Sequence, residues 1–284
     1  MLYPSGLSAF AFTYDNWGAN PSSTPGTSVV PGATNAEGAW TQIASSANIS
    51  QDCYWLYLQV HSGATSAQAK NHLLDLGIDA AGGTGYTPFF DNLVVGASPA
   101  LTVAGNREFL FPVFIPAGAS VAVRMQGSNA TAGTVRVMAK FYGQPTKVLA
   151  SPRGAFSQTF ATIAGSNGTG FTPGNAADGA WVDLGSASRN LWWFQLGYQI
   201  DNSTITAEYT YIDVAWGDAT NKQNMFRVMH GGTTGETCGL AAQTQLLFCA
   251  ACNPVPAGAN IYIRGRCNNA PDTGYNASVV GIGG

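Results

Sequence analysis

Residues 119–127 place Val121, Val123 and Met125 at every second position, and residues 259–266 do the same with Ile261 and Ile263. A period of two sends successive side chains to opposite faces of an extended chain, so each stretch reads as a strand with one apolar face. Comparable windows, separated by clusters of Gly, Pro, Asn and Ser, lie near 7–14, 39–45, 52–61, 71–79, 88–95, 107–115, 119–127 and 133–142. A second series follows near 155–163, 180–187, 191–200, 207–216, 223–230, 244–252, 259–266 and 275–282. No stretch carries the 3.6-residue apolar period of a long helix.

The two series are copies of one pattern. Glu37-Gly38-Ala39-Trp40 returns as Asp178-Gly179-Ala180-Trp181, and Leu74-Asp75-Leu76-Gly77-Ile78 returns as Ile212-Asp213-Val214-Ala215-Trp216. The run from Ile115 to Arg124, Ile-Pro-Ala-Gly-Ala-Ser-Val-Ala-Val-Arg, returns from Val255 to Arg264 as Val-Pro-Ala-Gly-Ala-Asn-Ile-Tyr-Ile-Arg. These anchors keep their order at offsets of 141, 138 and 140 residues, which chance matches between Gly- and Ala-rich segments do not produce. The comparison also settles residues 66–76, whose composition suits a short helix. Their counterpart alternates Thr210, Ile212, Val214 and Trp216 on one face, so both segments read as strands.

Eight short strands in each half of about 140 residues give the expected fold class: all-β, with two tandem antiparallel β-sandwich, jelly-roll-like domains arising from an internal duplication. The expected boundaries are a first sandwich over 1–143, a linker over 144–151 around Pro145, and a second sandwich over 152–284. Residues 18–34, rich in Gly, Pro and Ser and without a counterpart of similar length, read as an extended loop that orders against a neighbour.

Composition narrows the function classes. The chain is 45% hydrophobic and only 10% charged, against roughly 25% charged in ordinary soluble domains, so its exterior is largely Ser, Thr, Asn, Gly and backbone. Such a surface suits packing beside neighbours in an assembly. With a net charge of −3 and basic residues scattered singly apart from Arg264 and Arg266, there is no footprint for nucleic acid. No window approaches 18 consecutive apolar residues, and the first residues lack the basic start of a leader, so neither membrane spanning nor export is expected.

Candidate chemistry is sparse. The three histidines, His61, His72 and His230, stand in no metal-binding spacing, and no nucleophile elbow or phosphate loop is present; no catalytic residue and no cofactor are assigned. The recurring carboxylates, Glu37 with Asp178 and Asp75 with Asp213, read as fold-keeping, because a site repeated once per domain is more simply structural. Arg124 and Arg264, which recur after Pro-Ala-Gly-Ala, read as a salt bridge at a sandwich edge or a contact between subunits. The cysteines differ between copies, with Cys53 in the first and Cys238, Cys249, Cys252 and Cys267 in the second. Buried thiols, a disulfide or zinc remain open. A hairpin over 244–267 turning about Gly258 would set Cys249 opposite Cys267 as a cross-strand pair. The aromatic runs Leu191-Trp192-Trp193-Phe194 and Tyr54-Trp55 with Tyr57 must be at least half core, since neighbours along a strand face opposite ways.

The succession Gly-Ala-Trp-Thr-Gln-Ile (38–43), Leu-Asp-Leu-Gly-Ile (74–78), Phe-Leu-Phe-Pro-Val-Phe-Ile-Pro-Ala-Gly-Ala-Ser-Val-Ala-Val-Arg (109–124) and Tyr-Gly (142–143) resembles a group of virion structural proteins from tailed bacteriophages. The second copy keeps Pro-Ala-Gly-Ala (256–259) but departs in its cysteines and in losing Phe-Pro-Val-Phe at 249–253. The resemblance implies a structural protein of the virion, serving as capsid decoration, head fibre or tail appendage. The low charge, the duplication, the absence of catalytic residues and the free cysteines without an export signal lead to the expectation of a non-enzymatic capsid decoration or cement protein, assembled in the host bacterial cytoplasm, whose partners are the major capsid protein and copies of itself. A glycan-binding tail or fibre module is the alternative, and a glycan-cleaving enzyme a distant third. Pro25, Val29, Val30, Arg124 and Arg264 are the candidate interaction residues.

Overall fold

A computed structural model of the chain describes residues 11–16, 26–62, 72–95, 107–127, 135–143, 154–161, 168–200, 208–232, 247–248, 254–268 and 275–283. Among them every regular element is a strand. The first half contributes β1 (Ala11–Asp15), β2 (Thr27–Val29), β3 (Thr41–Ala44), β4 (Cys53–Ser62), β5 (His72–Asp79), β6 (Thr87–Val94), β7 (Arg107–Phe111), β8 (Ser120–Gly127) and β9 (Val135–Gly143). The second contributes β10 (Phe156–Phe160), β11 (Thr169–Phe171), β12 (Gly174–Asn175), β13 (Val182–Ser186), β14 (Leu191–Ile200), β15 (Glu208–Gly217), β16 (Lys222–Gly232), β17 (Leu247–Phe248), β18 (Asn260–Cys267) and β19 (Tyr275–Gly283). All the windows predicted from alternation contain strands, including β5 where composition suggested a helix.

Each half forms two sheets. In the first, a front sheet runs β1-β9-β4-β7 and a back sheet β3-β8-β5-β6; in the second, the front sheet runs β10-β19-β14-β17 and the back sheet contains β13, β18, β15 and β16. Every described strand pairing joins strands of one half, and all are antiparallel except β12 on β18. Apart from the short β2, β11 and β12, the order in both halves is first-eighth-third-sixth facing second-seventh-fourth-fifth. That is the connectivity of a jelly roll. The inward positions of both sheets form each core, with Leu56, Leu58, Phe141, Val121 and Val123 in the first and Phe194, Leu196, Val279, Ile261 and Ile263 in the second.

The repeated Pro-Ala-Gly-Ala is a turn ahead of the seventh principal strand. Ala119 N–H donates to the Pro116 carbonyl at 3.1 Å and Ala259 N–H to that of Pro256 at 3.2 Å, while Gly118 and Gly258 hold φ at 80° and 88°. This is a type II turn, whose third residue needs the left-handed region that glycine enters without strain. Asp52 and Asn190 cap the two turns in the same way, each accepting the N–H of the alanine before the glycine, Ala117 or Ala257.

Residues 27–34 correct the expectation of a loose loop. β2 pairs with Val135–Val137 of β9, Thr34 bridges Gly127, and the Val29 side chain is fully buried in the core. Val29 is therefore a core residue, while Val30 beside it is exposed, as alternation along a strand requires. The segment also has its counterpart in the second half, where β11 pairs with Tyr275–Ala277 of β19 and β12 runs beside β18. Pro25 lies outside the described residues. The hairpin expected over 244–267 does not form: Leu247–Phe248 pairs with β14 in the front sheet, whereas β18 pairs with β15 and β13 in the back sheet. The chain crosses between the layers there, as jelly-roll connectivity demands. Cys249 lies outside the described residues; Cys267 is buried and its thiol approaches the Gly174 carbonyl at 3.3 Å.

The halves meet through the outer face of the second front sheet, which lies over β6 and closes one side of the first sandwich. Val280 and Ile282, pointing away from their own core, belong to the core of the first half, and Trp193 packs against it. Trp55 and Trp193 meet edge to face with centroids 5.3 Å apart. Val94 N–H donates to Ser278 Oγ at 2.8 Å, Ser157 Oγ donates to the Phe89 carbonyl, and Thr159 Oγ1 donates to the Asp91 carbonyl at 2.5 Å. Gly197 permits this approach, since a Cβ there would stand 2.2 Å from the Val94 carbonyl oxygen. Gly197→Ala must therefore push β6 off the sheet. We expect it to cost about 1–3 kcal/mol, as overpacking does, read as a lower denaturant midpoint.

Candidate functional site

The recurring acids and arginines come together once in each half. Arg124 on β8 stands directly across from Asp75 on β5, and Arg264 on β18 directly across from Asp213 on β15. The guanidinium of Arg124 binds Asp75 Oδ2 through Nε at 2.7 Å and Glu37 Oε2 through Nη1 at 2.5 Å, and lies 4.5 Å from the centre of the Trp40 ring. That of Arg264 binds Asp213 Oδ2 at 3.1 Å and Asp178 Oδ2 at 2.7 Å, 4.3 Å from the Trp181 ring. Backbone bonds hold the acidic segments in place, with Gly38 N–H on the Met125 carbonyl and Gly179 N–H on that of Gly265. Each arginine is thus stacked on an indole and engaged by two carboxylates. This geometry ties the chain ahead of β3 or β13 to the outer face of the back sheet, a use of the planar guanidinium that lysine could not reproduce.

The copies differ at one corner. In the second half Arg227 on β16 adds a two-pronged pair to Asp213, Nε to Oδ1 at 2.5 Å and Nη2 to Oδ2 at 2.8 Å. In the first half a bulge on β6 puts the Asn92 N–H, at φ 58°, on Asp75 Oδ1 at 2.7 Å instead. β6 is covered by the second half, where an additional guanidinium would lose its water; β16 is open, and the Arg227 side chain is half exposed. The electrostatic outcome diverges. Burial raises Asp75 to about 6, because the Asn92 N–H and Arg124 recover only part of what desolvation costs and Glu37 repels it. Burial also acts to raise Asp213, but Arg227 and Arg264 together outweigh it and hold that carboxyl below the ordinary value.

Elsewhere the described surface offers little chemistry. A groove of about 360 Å³ in the second half is lined by Phe171, Val182, Tyr275 and Asn276 among others, with no acid, histidine or cysteine in its wall. Among the described residues no three His, Cys, Asp or Glu side chains cluster as metal ligands, and no helix is long and apolar enough to cross a membrane. Of the aromatic runs, Phe194 is core and Trp55 and Trp193 join the halves. What the sequence reading did not single out is a patch of large exposed side chains on the second back sheet: Tyr209 (58% exposed), Tyr211 (37%) and Met229 (61%). The alternation was readable, since Thr210 and Ile212 face inward and their neighbours must face out.

No protein-family profile and no curated protein sequence matches the chain. Among solved structures, the STIV MCP, a viral major capsid protein, aligns over 90% of this chain and 93% of its own at 8% identity and a TM-score of 0.37. PNGase F, a glycosylasparaginase from Flavobacterium meningosepticum, aligns over 90% and 95% at 8% identity and a TM-score of 0.40. The CBM22-1–CBM22-2 tandem domain of Paenibacillus barcinonensis Xyn10C aligns over 97% of both chains at 8% identity and a TM-score of 0.33.

The two aspartates should respond oppositely to pH. Asp75 holds its proton more tightly folded than unfolded, so its contribution to stability is full below about pH 4 and is lost as pH rises toward 6. Asp213 contributes above the ordinary carboxylate range and loses that contribution as pH falls through its lowered value. Asp75→Asn should therefore gain on the wild type between pH 4 and 7 in urea melts. Asp213→Asn should cost about 3 kcal/mol at pH 7, as removing one partner of a buried pair does, with the deficit shrinking below pH 4.

Proposed function

We propose that the chain is a non-enzymatic structural protein of a virion, a bacteriophage capsid decoration or cement protein that binds the major capsid protein and neighbouring copies of itself. The observation that carries this reading is how the surface is spent. The clustered charges of both halves are engaged in pinning the fold, with Arg124 and Arg264 each held by two acids, and among the described residues the large apolar and aromatic side chains Val30, Tyr209, Tyr211 and Met229 are left outward. Arg124 and Arg264 are accordingly held within the fold, each between two acids and an indole. A surface of this kind binds by apolar contact and backbone hydrogen bonds, since exposed ion pairs contribute only about 0–1 kcal/mol each. The low overall charge and the resemblance of the motifs at 38–43, 74–78 and 109–124 to virion proteins support the same reading. The glycan-binding alternative draws on Tyr209 and Tyr211, two rings on one sheet face.

Copy number tests the proposal. A cement protein should be present at hundreds of copies per virion, and its attachment should survive a rise in salt from about 0.1 M to 1 M, which shortens the Debye length from about 10 to 3 Å. Tens of copies or fewer, with retention on a host-glycan array that is lost in Tyr209→Ala, would replace cement with a tail or fibre module. Stripping of the protein by moderate salt would place its contacts on charges and overturn the apolar attachment.

A further inference from the structure

Position by position, β16 is the second half's version of β6. Val214 pairs with Phe226 as Leu76 pairs with Phe90, and Tyr211 pairs with Met229 as Leu73 pairs with Val94. In the first half this corner is sealed, with Leu73 and Val94 at 1% and 0% exposure beneath the front sheet of the second half. In the second half the same two places carry Tyr211 and Met229, larger and exposed, with Tyr209 beside them. Apolar side chains thus stand in the open where the duplicated fold has an interior contact.

We propose that this face docks on a second copy of the chain, against the outer face of that copy's first front sheet, so that molecules join head to tail in the manner of the two halves of one chain. The acceptor follows from the same correspondence. The sheet covering β6 has the strand order β10-β19-β14-β17, and its counterpart is β1-β9-β4-β7. The covering positions Gln195, Gly197 and Val280 correspond by register to Tyr57, Gln59 and Lys140, which are only half buried. Two differences compensate each other. Gln59 stands where Gly197 admits the Val94 carbonyl, which holds the incoming strand further off, and Met229 stands where Val94 is, a longer and more adaptable side chain that spans the extra distance. The contact uses different surfaces on the two molecules, so it propagates as a ring or an open string. It deepens the self-binding part of the reading above and does not require the virion.

Sedimentation of the full chain over a concentration series decides the matter. Wild type should gain mass with concentration, and Met229→Asp and Tyr57→Ser should each weaken association at least tenfold with unchanged melting. An equimolar mixture of the two variants should recover dimers but nothing larger, because one variant keeps an intact acceptor and the other an intact donor face. Tyr211→Ser and Lys140→Glu serve in the same roles should either first variant melt early. A monomeric wild type, an acceptor variant that associates like wild type, or a mixture that stays monomeric would overturn the proposal. Absence of the protein from virions would sink the cement reading while leaving this one standing.

Discussion

The carbonyl of Val94 rests against Gly197 with no room between them for a methyl group, and around that point the second half's front sheet becomes a third layer over the first sandwich. A jelly roll ordinarily ends at its edge strands, where unpaired backbone and the rim of the core meet solvent. Here β6 is spared that exposure, and Phe90, Phe111 and Leu93 sit in a core that Val280 and Ile282 complete. The duplication therefore produced two folds with one topology and two different surroundings.

That difference in surroundings explains the divergence of the charged clusters. The acid, arginine and indole recur because each half must fasten the chain ahead of its second principal strand to the back sheet. The further cation recurs only where water can reach it, so Arg227 has no counterpart on the covered strand, and a backbone N–H from Asn92 serves there. A bulge and a covering sheet in one half, and an arginine at an open strand in the other, leave two corresponding carboxylates on opposite sides of their ordinary ionisation range.

Much of the fold was legible in the sequence because each strand carries its period of two and the copies cross-check one another; β5 read as a strand only through Tyr209–Trp216. The short β2, β11 and β12 escaped because two or three residues cannot display a period, and Val29 was misjudged for that reason. The crossing between Leu247 and Asn260 was missed because proximity along the chain favours a hairpin, and only the sheet order reveals that the two stretches lie in different layers. Glu37, Asp75, Arg124 and their counterparts were recognised as a recurring set, but their convergence on one indole depends on cross-strand register, which alternation leaves unspecified. The Tyr209–Met229 patch required knowing what covers β6, information held in no single segment.

The core of the second half is built from its own residues, whereas that of the first borrows Val280 and Ile282 from β19. On a ribosome the chain emerges from the first half onward, and domains generally fold in that order. The first jelly roll to be synthesised is consequently finished no sooner than the second: it waits, with one flank of its core open, for a strand made after every other described element. Exchanging the order of the halves would leave each sequence intact and yet remove the wait, because Val280 and Ile282 would then be made first.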